Sequence, residues 1–210
     1  MYVCDVVDLH SFHSFIMYDP LLHHLARYVR ISDAEREVLL STLRYKKLSK
    51  KEILLKQGHV CTGMYFVLSG CLRLYTITEN GTEQILQFAI PNWWISDYQS
   101  FEHGAPSDYF IQAVEDTEIA IIGRSDYHAL FEQVPLLNNY FRLIMQRAYS
   151  ASIKKMELFL CTSAEERYQN FVNNFPDFVQ RIPQYMLASF LGFTPEFLSM
   201  LRAKQKAGKH

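Results

Sequence analysis

The chain has 210 residues, 49% hydrophobic and 20% charged, with 21 Lys and Arg against 22 Asp and Glu. Fifteen Phe and thirteen Tyr favour packed strands and aromatic helix interfaces over disorder, and the length suits one large domain or a domain with a small appendage. A near-neutral total neither demands nor excludes nucleic acid, because binding depends on where the charge sits. The cysteines, Cys4, Cys61, Cys71 and Cys161, form no CxxC pair, which argues against a zinc ribbon or a clustered iron–sulfur site. The opening MYVCDVVDLH lacks a basic start and a long apolar run, and no segment is apolar enough to span a bilayer, so a cytoplasmic protein is expected.

Residues from about 19 to 46 read as helical. Ser32-Asp33 supply an N-cap before AEREVLLSTL, whose Val38, Leu39 and Leu43 share one face. From Lys51 to about Ile122 the pattern changes to short β-branched and aromatic runs punctuated by Gly: EILLKQG, MYFVLSG, CLRLYTITENG, EQILQFAIP and YFIQAVEDTEIAIIG. Such spacing predicts an antiparallel barrel or sandwich, with Asn80-Gly81 as a tight hairpin turn. After Gly123 the helical period returns, with Ser125-Asp126 as a cap and Pro135 restarting the chain. Residues from about 136 to 160 form one long helix without Gly or Pro, on which Leu137, Phe141, Ile144, Ala148 and Ala151 make an apolar stripe. The stripe packs on the helix's own barrel or on a second copy, and the rod is longer than one small barrel needs, so dimerisation is expected. Further helices follow in SAEERYQNFVNNF, with a capping box of Ser163 and Glu166, then PQYMLASFLG and TPEFLSMLRAKQKAGKH.

IPQYMLASFLGFTPEFLSMLRAK, from Ile182 to Lys204, meets the physical demands of a helix-turn-helix. Ala188 is small where a second helix must cross, and Gly192 tolerates the left-handed turn. Leu187, Leu191, Leu198 and Leu201 supply the shared core, Thr194 an N-cap and Pro195 a first helical residue. An ordinary αα-hairpin is served equally well by these residues. The position behind a barrel and a long helix favours the DNA-binding reading, with the second helix in the major groove.

The order of helix, Gly-punctuated β-roll, long helix and terminal helix-turn-helix resembles the CRP/FNR regulators from about residue 20 to the end. Gly58, Gly70 and Gly81 fall at the turn glycines of that family's cyclic-nucleotide-binding roll, and Phe101, Gly104 and Pro135 fall in register. The WWISD…SF pattern and the short C-terminus are similar to a branch common in Bacteroidetes-type bacteria. The resemblance implies an α+β fold: an antiparallel β-roll of the double-stranded jelly-roll type, a long dimerisation helix and a small all-α helix-turn-helix domain. The expected boundaries are 1–160 for the N-terminal helices, roll and long helix (about 136–160), and 161–210 for the helical DNA-binding domain, with its motif at about 183–205.

In that family the nucleotide cassette reads roughly F-G-E-L followed by R-S/T-A, an Arg and backbone amides holding the cyclic phosphate and the Glu a ribose hydroxyl. Here the stretch is Trp94-Ile95-Ser96-Asp97-Tyr98, then Ser107-Asp108-Tyr109. Asp97 stands for the Glu, Ser96 for the Gly, and Ser107 for the Arg, with Asp108 adding a carboxylate beside it. An anionic phosphate loses its bidentate cation and gains a like charge, so cAMP is not the expected effector. Ser152 falls where the family has a hydroxyl facing adenine, and Ile153 replaces the next one. The expected effector pocket is therefore Trp94, Ser96, Asp97, Tyr98, Ser107, Asp108 and Ser152, for an unidentified small molecule or for the chain's own aromatic side chains. Trp93 and Trp94 read as core or rim aromatics.

The family's guanine-reading arginines correspond to Pro195 and Met200, with the acidic Glu196 retained between them. Gln184, Thr194, Ser199, Arg202 and Lys204 remain as candidate contacts, with Lys206 and Lys209 as further phosphate contacts. No β-hairpin wing follows the last helix, so weak, salt-sensitive binding is expected. The resemblance implies double-stranded, palindromic DNA, a second copy of the chain and RNA polymerase as partners, and no membrane. The rival readings are a ligand-binding or protein-interaction dimer that has lost specific DNA binding, a haem or iron–sulfur sensor, and a cupin enzyme. The last needs clustered metal ligands, whereas the roll holds only His59 and His103, far apart in sequence. No metal and no catalytic residue is assigned.

Overall fold

The computed structural model describes residues 9–207, with side chains from 17 to 204. The expectations placed on Cys4, the Lys206 side chain and Lys209 lie outside these. Elements follow in the order α1 (Leu9–Ala26), α2 (Asp33–Thr42), β1 (Arg44–Leu48), β2 (Ile53–Leu55), β3 (Gly63–Ser69), β4 (Leu72–Ile77), β5 (Glu83–Ala89), β6 (Trp94–Ile95) and α3 (Tyr98–His103). Then come β7 (Phe110–Ala113), β8 (Thr117–Gly123), α4 (Arg124–Gln133), α5 (Leu136–Cys161), α6 (Ala164–Asn174), α7 (Pro176–Arg181), α8 (Gln184–Leu191) and α9 (Pro195–Ala207). The chain is α+β, a β-roll of antiparallel strands with helices before and after it, as expected.

The described residues form two compact units: 9–72 with 89–144, and 73–88 with 145–207. In the first, one sheet runs β1-β8-β3-β6. β3 lies between β8 and β6 and is buried on both faces from Gly63 to Leu68, hence the nearly continuous apolar run MYFVL. β2 pairs with β7. Phe66, Ile95, Ile111, Ile119 and Ile122 fill the core, with Leu21 and Leu39 from the first two helices. Gly70 closes the β3–β4 turn at φ 86°, where a Cβ would stand 2.5 Å from the Asp116 carbonyl oxygen, so only glycine fits.

Several local expectations are refined. α1 starts earlier than residue 19. The stretch expected to stay helical to 46 turns into β1 at Arg44, pairing antiparallel with β8 from Arg44↔Ile121 to Leu48↔Thr117. Only Leu48 of β1 is buried, so RYKKL carries no alternating apolar signal. The Asn80-Gly81 turn is wider than a two-residue hairpin: Gly81 donates to the Thr78 carbonyl, Thr78 to the Thr82 carbonyl, and Gly81 alone takes positive φ. α4 begins at Arg124 with Gly123 as its N-cap rather than Ser125 or Asp126. The capping boxes at Ser32/Glu35 and Ser163/Glu166 are both closed, each serine hydroxyl taking the amide of the glutamate that reaches back to it.

In the second unit α6 to α9 enclose their own core. Tyr168, Val179, Leu187, Ala188, Leu191, Leu198 and Leu201 pack together, flanked by Phe171, Val172, Phe190, Phe193 and Phe197. Gly192 ends α8 at φ 73°, ψ 34°, its N–H shared between the Ala188 and Ser189 carbonyls. A Cβ there would press on the Phe159 ring at 3.2 Å. The Thr194 hydroxyl accepts from the Phe197 amide at 3.2 Å and Pro195 opens α9, as a capped helix start requires.

Candidate effector cassette and nucleic-acid interface

The cassette strand β6 delivers Trp94 into the core rather than to a ligand. Its ring meets Phe66 at 5.2 Å and Phe141 at 5.0 Å. Its indole N–H donates to the Tyr140 hydroxyl at 2.9 Å, and that hydroxyl lies 2.8 Å from Nδ1 of His24. Tyr140 is wholly enclosed, and burial is the main cause holding its phenol above the ordinary range, the Trp94 hydrogen bond pulling the other way. Trp94 is thus buried among core aromatics, in keeping with its reading as a core or rim residue. Tyr140→Phe removes the hydroxyl that accepts the Trp94 indole proton, and a buried donor left unpaired costs about 1–3 kcal/mol. Urea unfolding is expected to show that loss, and an unchanged midpoint would refute it.

Ser96, Asp97 and Ser107 are buried and already engaged. Ser96 Oγ donates to the Gly63 carbonyl at 2.9 Å and lies 3.3 Å from the Cys61 sulfur. Asp97 is the N-cap of α3, its Oδ1 accepting from the Ser100 amide at 3.1 Å. Ser107 Oγ accepts from the Tyr109 amide at 3.0 Å. The ring of Tyr98 is partly open to solvent. Desolvation raises its phenol well above the usual value, and Cys61 and Tyr127 add to the rise. Asp108 is exposed, and the Ser152 hydroxyl turns back to the Ala148 carbonyl at 2.9 Å. The hydroxyls of Ser96, Ser107 and Ser152 and the Asp97 carboxylate therefore serve backbone groups and a helix cap, and none of these is a cation.

On α5 the expected stripe divides. Leu137 and Phe141 are buried within the first unit, Phe141 against Trp94 and Phe131, so they are spent in the chain's own core. Ile144 is half-buried, and Ala148 and Ala151 are exposed. Another row stands open: Tyr149, Ile153, Met156 and Leu160 are 70%, 44%, 54% and 77% exposed. Their spacing of four, three and four residues is that of a coiled-coil seam. The sequence held that signal, masked by the stronger apolar run at the helix's start.

The last helix, α9, keeps its outer face open. Glu196, Ser199 and Met200 are exposed, as are Thr194, Pro195 and, at the start of α8, Gln184. Tyr185, half exposed beside Gln184, joins them and was not foreseen. Arg202 is half-buried and Lys204 is paired with Glu165 at 3.1 Å. Such an exposed pair is weak, and a phosphate exchanges for the carboxylate at little cost. Among the described residues no three His, Cys, Asp or Glu gather as metal ligands, and His59 and His103 are exposed.

Residues 45–134 match the cyclic nucleotide-binding domain family. The chain is 27% identical over 177 residues to the anaerobic regulatory protein of Aggregatibacter actinomycetemcomitans, covering 79% of this chain and 68% of that one. It is 29% identical over 159 residues to the transcriptional activator protein Anr of Pseudomonas aeruginosa, covering 74% of this chain and 62% of that one. Among solved structures, FixK2 from Bradyrhizobium japonicum superposes with a TM-score of 0.69 at 17% identity, covering 80% of this chain and 86% of that one.

Proposed function

We propose that the chain is a transcription regulator of the CRP/FNR type, acting in the cytoplasm as a homodimer that reads palindromic DNA. CRP/FNR regulators bind DNA and act as dimers. The observation that carries the finer reading is one compact unit holding both an exposed heptad row on α5 and a capped, open recognition helix. A second copy covers Tyr149, Ile153, Met156 and Leu160, which removes an apolar strip from water and presents two α9 helices roughly 34 Å apart. Direct base reading falls to Glu196, Ser199 and Met200, and phosphate contact to Gln184, Thr194, Arg202 and Lys204. RNA polymerase is the further partner that transcription output requires. Among the described residues no helix is long and apolar enough to cross a membrane.

The roll senses something other than a cyclic nucleotide. Ser107 supplies no charge for a phosphate, and its hydroxyl, with those of Ser96 and the Asp97 carboxylate, is already bonded internally. Micromolar or tighter binding of cAMP by titration calorimetry would overturn this.

Sedimentation and gel retardation test the whole reading. The wild-type chain is expected to be dimeric at micromolar concentration and to retard genomic duplexes with a steep salt dependence. The double variant Ile153→Asp/Leu160→Asp is expected to sediment as a monomer and to lose that retardation. Absence of retardation by the wild type even at low salt favours instead a dimer that no longer reads DNA, as Pro195 and Met200 in place of arginines suggest.

A further inference from the structure

The β4–β5 hairpin lies in the same compact unit as the helix pair α8–α9. Ser189, near the end of α8, bridges two backbone groups of β5: its hydroxyl donates to the Glu83 carbonyl at 2.8 Å and accepts from the Ile85 amide at 2.9 Å. Gln84 returns the contact, its side-chain amide donating to the Ser189 carbonyl. That carbonyl lies in the last turn of α8 and also takes a share of the Gly192 N–H. Lys155 from α5 donates to the Leu86 carbonyl at 2.8 Å and stands 3.9 Å over the Phe190 ring. Phe88 meets Phe178 and Phe190 at 5.1 and 5.2 Å. One strand thereby gathers side chains from α5, α7 and α8.

Ring contacts alone permit sliding, whereas hydrogen bonds to successive backbone groups fix a register, because they weaken steeply with misalignment. α9 is joined to α8 through the Gly192 turn and a shared leucine core, so its direction follows that of α8. The open face of α9 lies free of the clasp, which therefore orients the reading surface without covering it.

We propose that Ser189, seconded by Gln84 and Lys155, is a positioning residue that locks the recognition helix to the backbone of β5 and so sets its angle to the α5 seam. In a dimer this angle fixes the separation of the two recognition helices, and movement of the hairpin transmits to DNA spacing. The inference rests on the reading of the chain as a paired DNA reader. Ser189→Ala removes the bridge and leaves every residue of the reading face and of the α5 seam in place.

The test uses the full chain and a duplex pool with a randomised central stretch. Wild type is expected to enrich paired half-sites at a single separation. Ser189→Ala is expected to enrich the same half-site at a spread of separations, and to bind the wild-type-selected duplex about tenfold more weakly, because simultaneous engagement is no longer preorganised. Its affinity for an isolated half-site should stay unchanged, and Ser189→Thr, which keeps the hydroxyl, should restore the single separation. Amide exchange supplies an independent readout, Ile85 losing protection in Ser189→Ala. An unchanged separation in Ser189→Ala, or an Ile85 amide equally protected in wild type and variant, overturns the proposal. Failure of the wild type to enrich any duplex, with Ile85 deprotected in the variant, overturns DNA reading while leaving the clasp as a structural fact.

Discussion

Leu198→Ala is expected to destabilise the second unit by about 2–5 kcal/mol, the range for emptying a leucine site in a packed core. Leu198 is 1% exposed and, with Leu201, is the ridge by which α9 holds to Leu187, Ala188 and Leu191. The cluster is small, so few neighbours can close on the space left behind, and a loss of this size is a large part of what so small a unit has to spare. Both tryptophans of the chain, Trp93 and Trp94, lie in the first unit, so two optical probes separate the units. Far-ultraviolet circular dichroism should show helix lost at lower denaturant in the variant, while the tryptophan emission midpoint stays near the wild-type value. Equal shifts of both midpoints would show that the units unfold as one and would refute the prediction as stated. DNA retardation should fall with the helical signal.

Lys155→Met is expected to stabilise the protein at neutral pH by about 1–3 kcal/mol. Burial holds the ammonium group down to a pKa of about 8, against 10.5 for an ordinary lysine, because a charge withdrawn from water is disfavoured. Its compensation is one carbonyl, Leu86, and the faces of Phe190 and Phe159, and a cation over an aromatic ring offsets only about 0.5–2 kcal/mol. Between pH 8 and 10.5 the unfolded chain binds the proton that the folded chain has released. Stability therefore rises with pH through that window, and the full penalty is present below it. The tyrosines whose phenols are raised by burial act in the opposite sense above their ordinary pKa of 10.0, since unfolding then releases protons. The difference between wild type and Lys155→Met isolates the lysine from them. Denaturant titrations should show that difference to be largest near neutrality and to shrink as pH approaches about 10. A gap independent of pH would sink the assignment. The Ser189 bridge does not involve the lysine, so register on β5 should persist in this variant.

Where the chain spells a local rule, the sequence predicts the structure closely. Ser163 with Glu166, Gly192, and Thr194 with Pro195 each satisfy an orphaned helix end or a left-handed turn, and each does so in the fold. The order of helices, roll and terminal helix pair was legible for the same reason, because the hydrophobic period changes at the boundaries. β1 was not, since an edge strand with one buried residue has no period to read. The exposed side of α5 was not, because an apolar stripe does not tell which stretch its own core will cover. Leu137 and Phe141 are taken by that core, and the free row begins at Tyr149. In the cassette, Ser107 in place of an arginine was readable. The internal bonding of Ser96, Asp97 and Ser107 depends on loop geometry that spacing does not encode. The clasp of Ser189 on β5 joins positions more than a hundred residues apart and lies beyond any local pattern.

The weak signal of β1 carries a benefit in solution. β1 stands at the rim of its sheet with a row of main-chain groups on one side, a template onto which another molecule can stack as an extra strand. Lys46 and Lys47 occupy that rim, held by Glu52 at 3.1 Å and Glu118 at 3.3 Å. An incoming strand would have to bury those ammonium groups or break their pairs, so aggregation along this edge is opposed by charge. The two lysines that hid the strand from view are also the charges an added strand would have to desolvate.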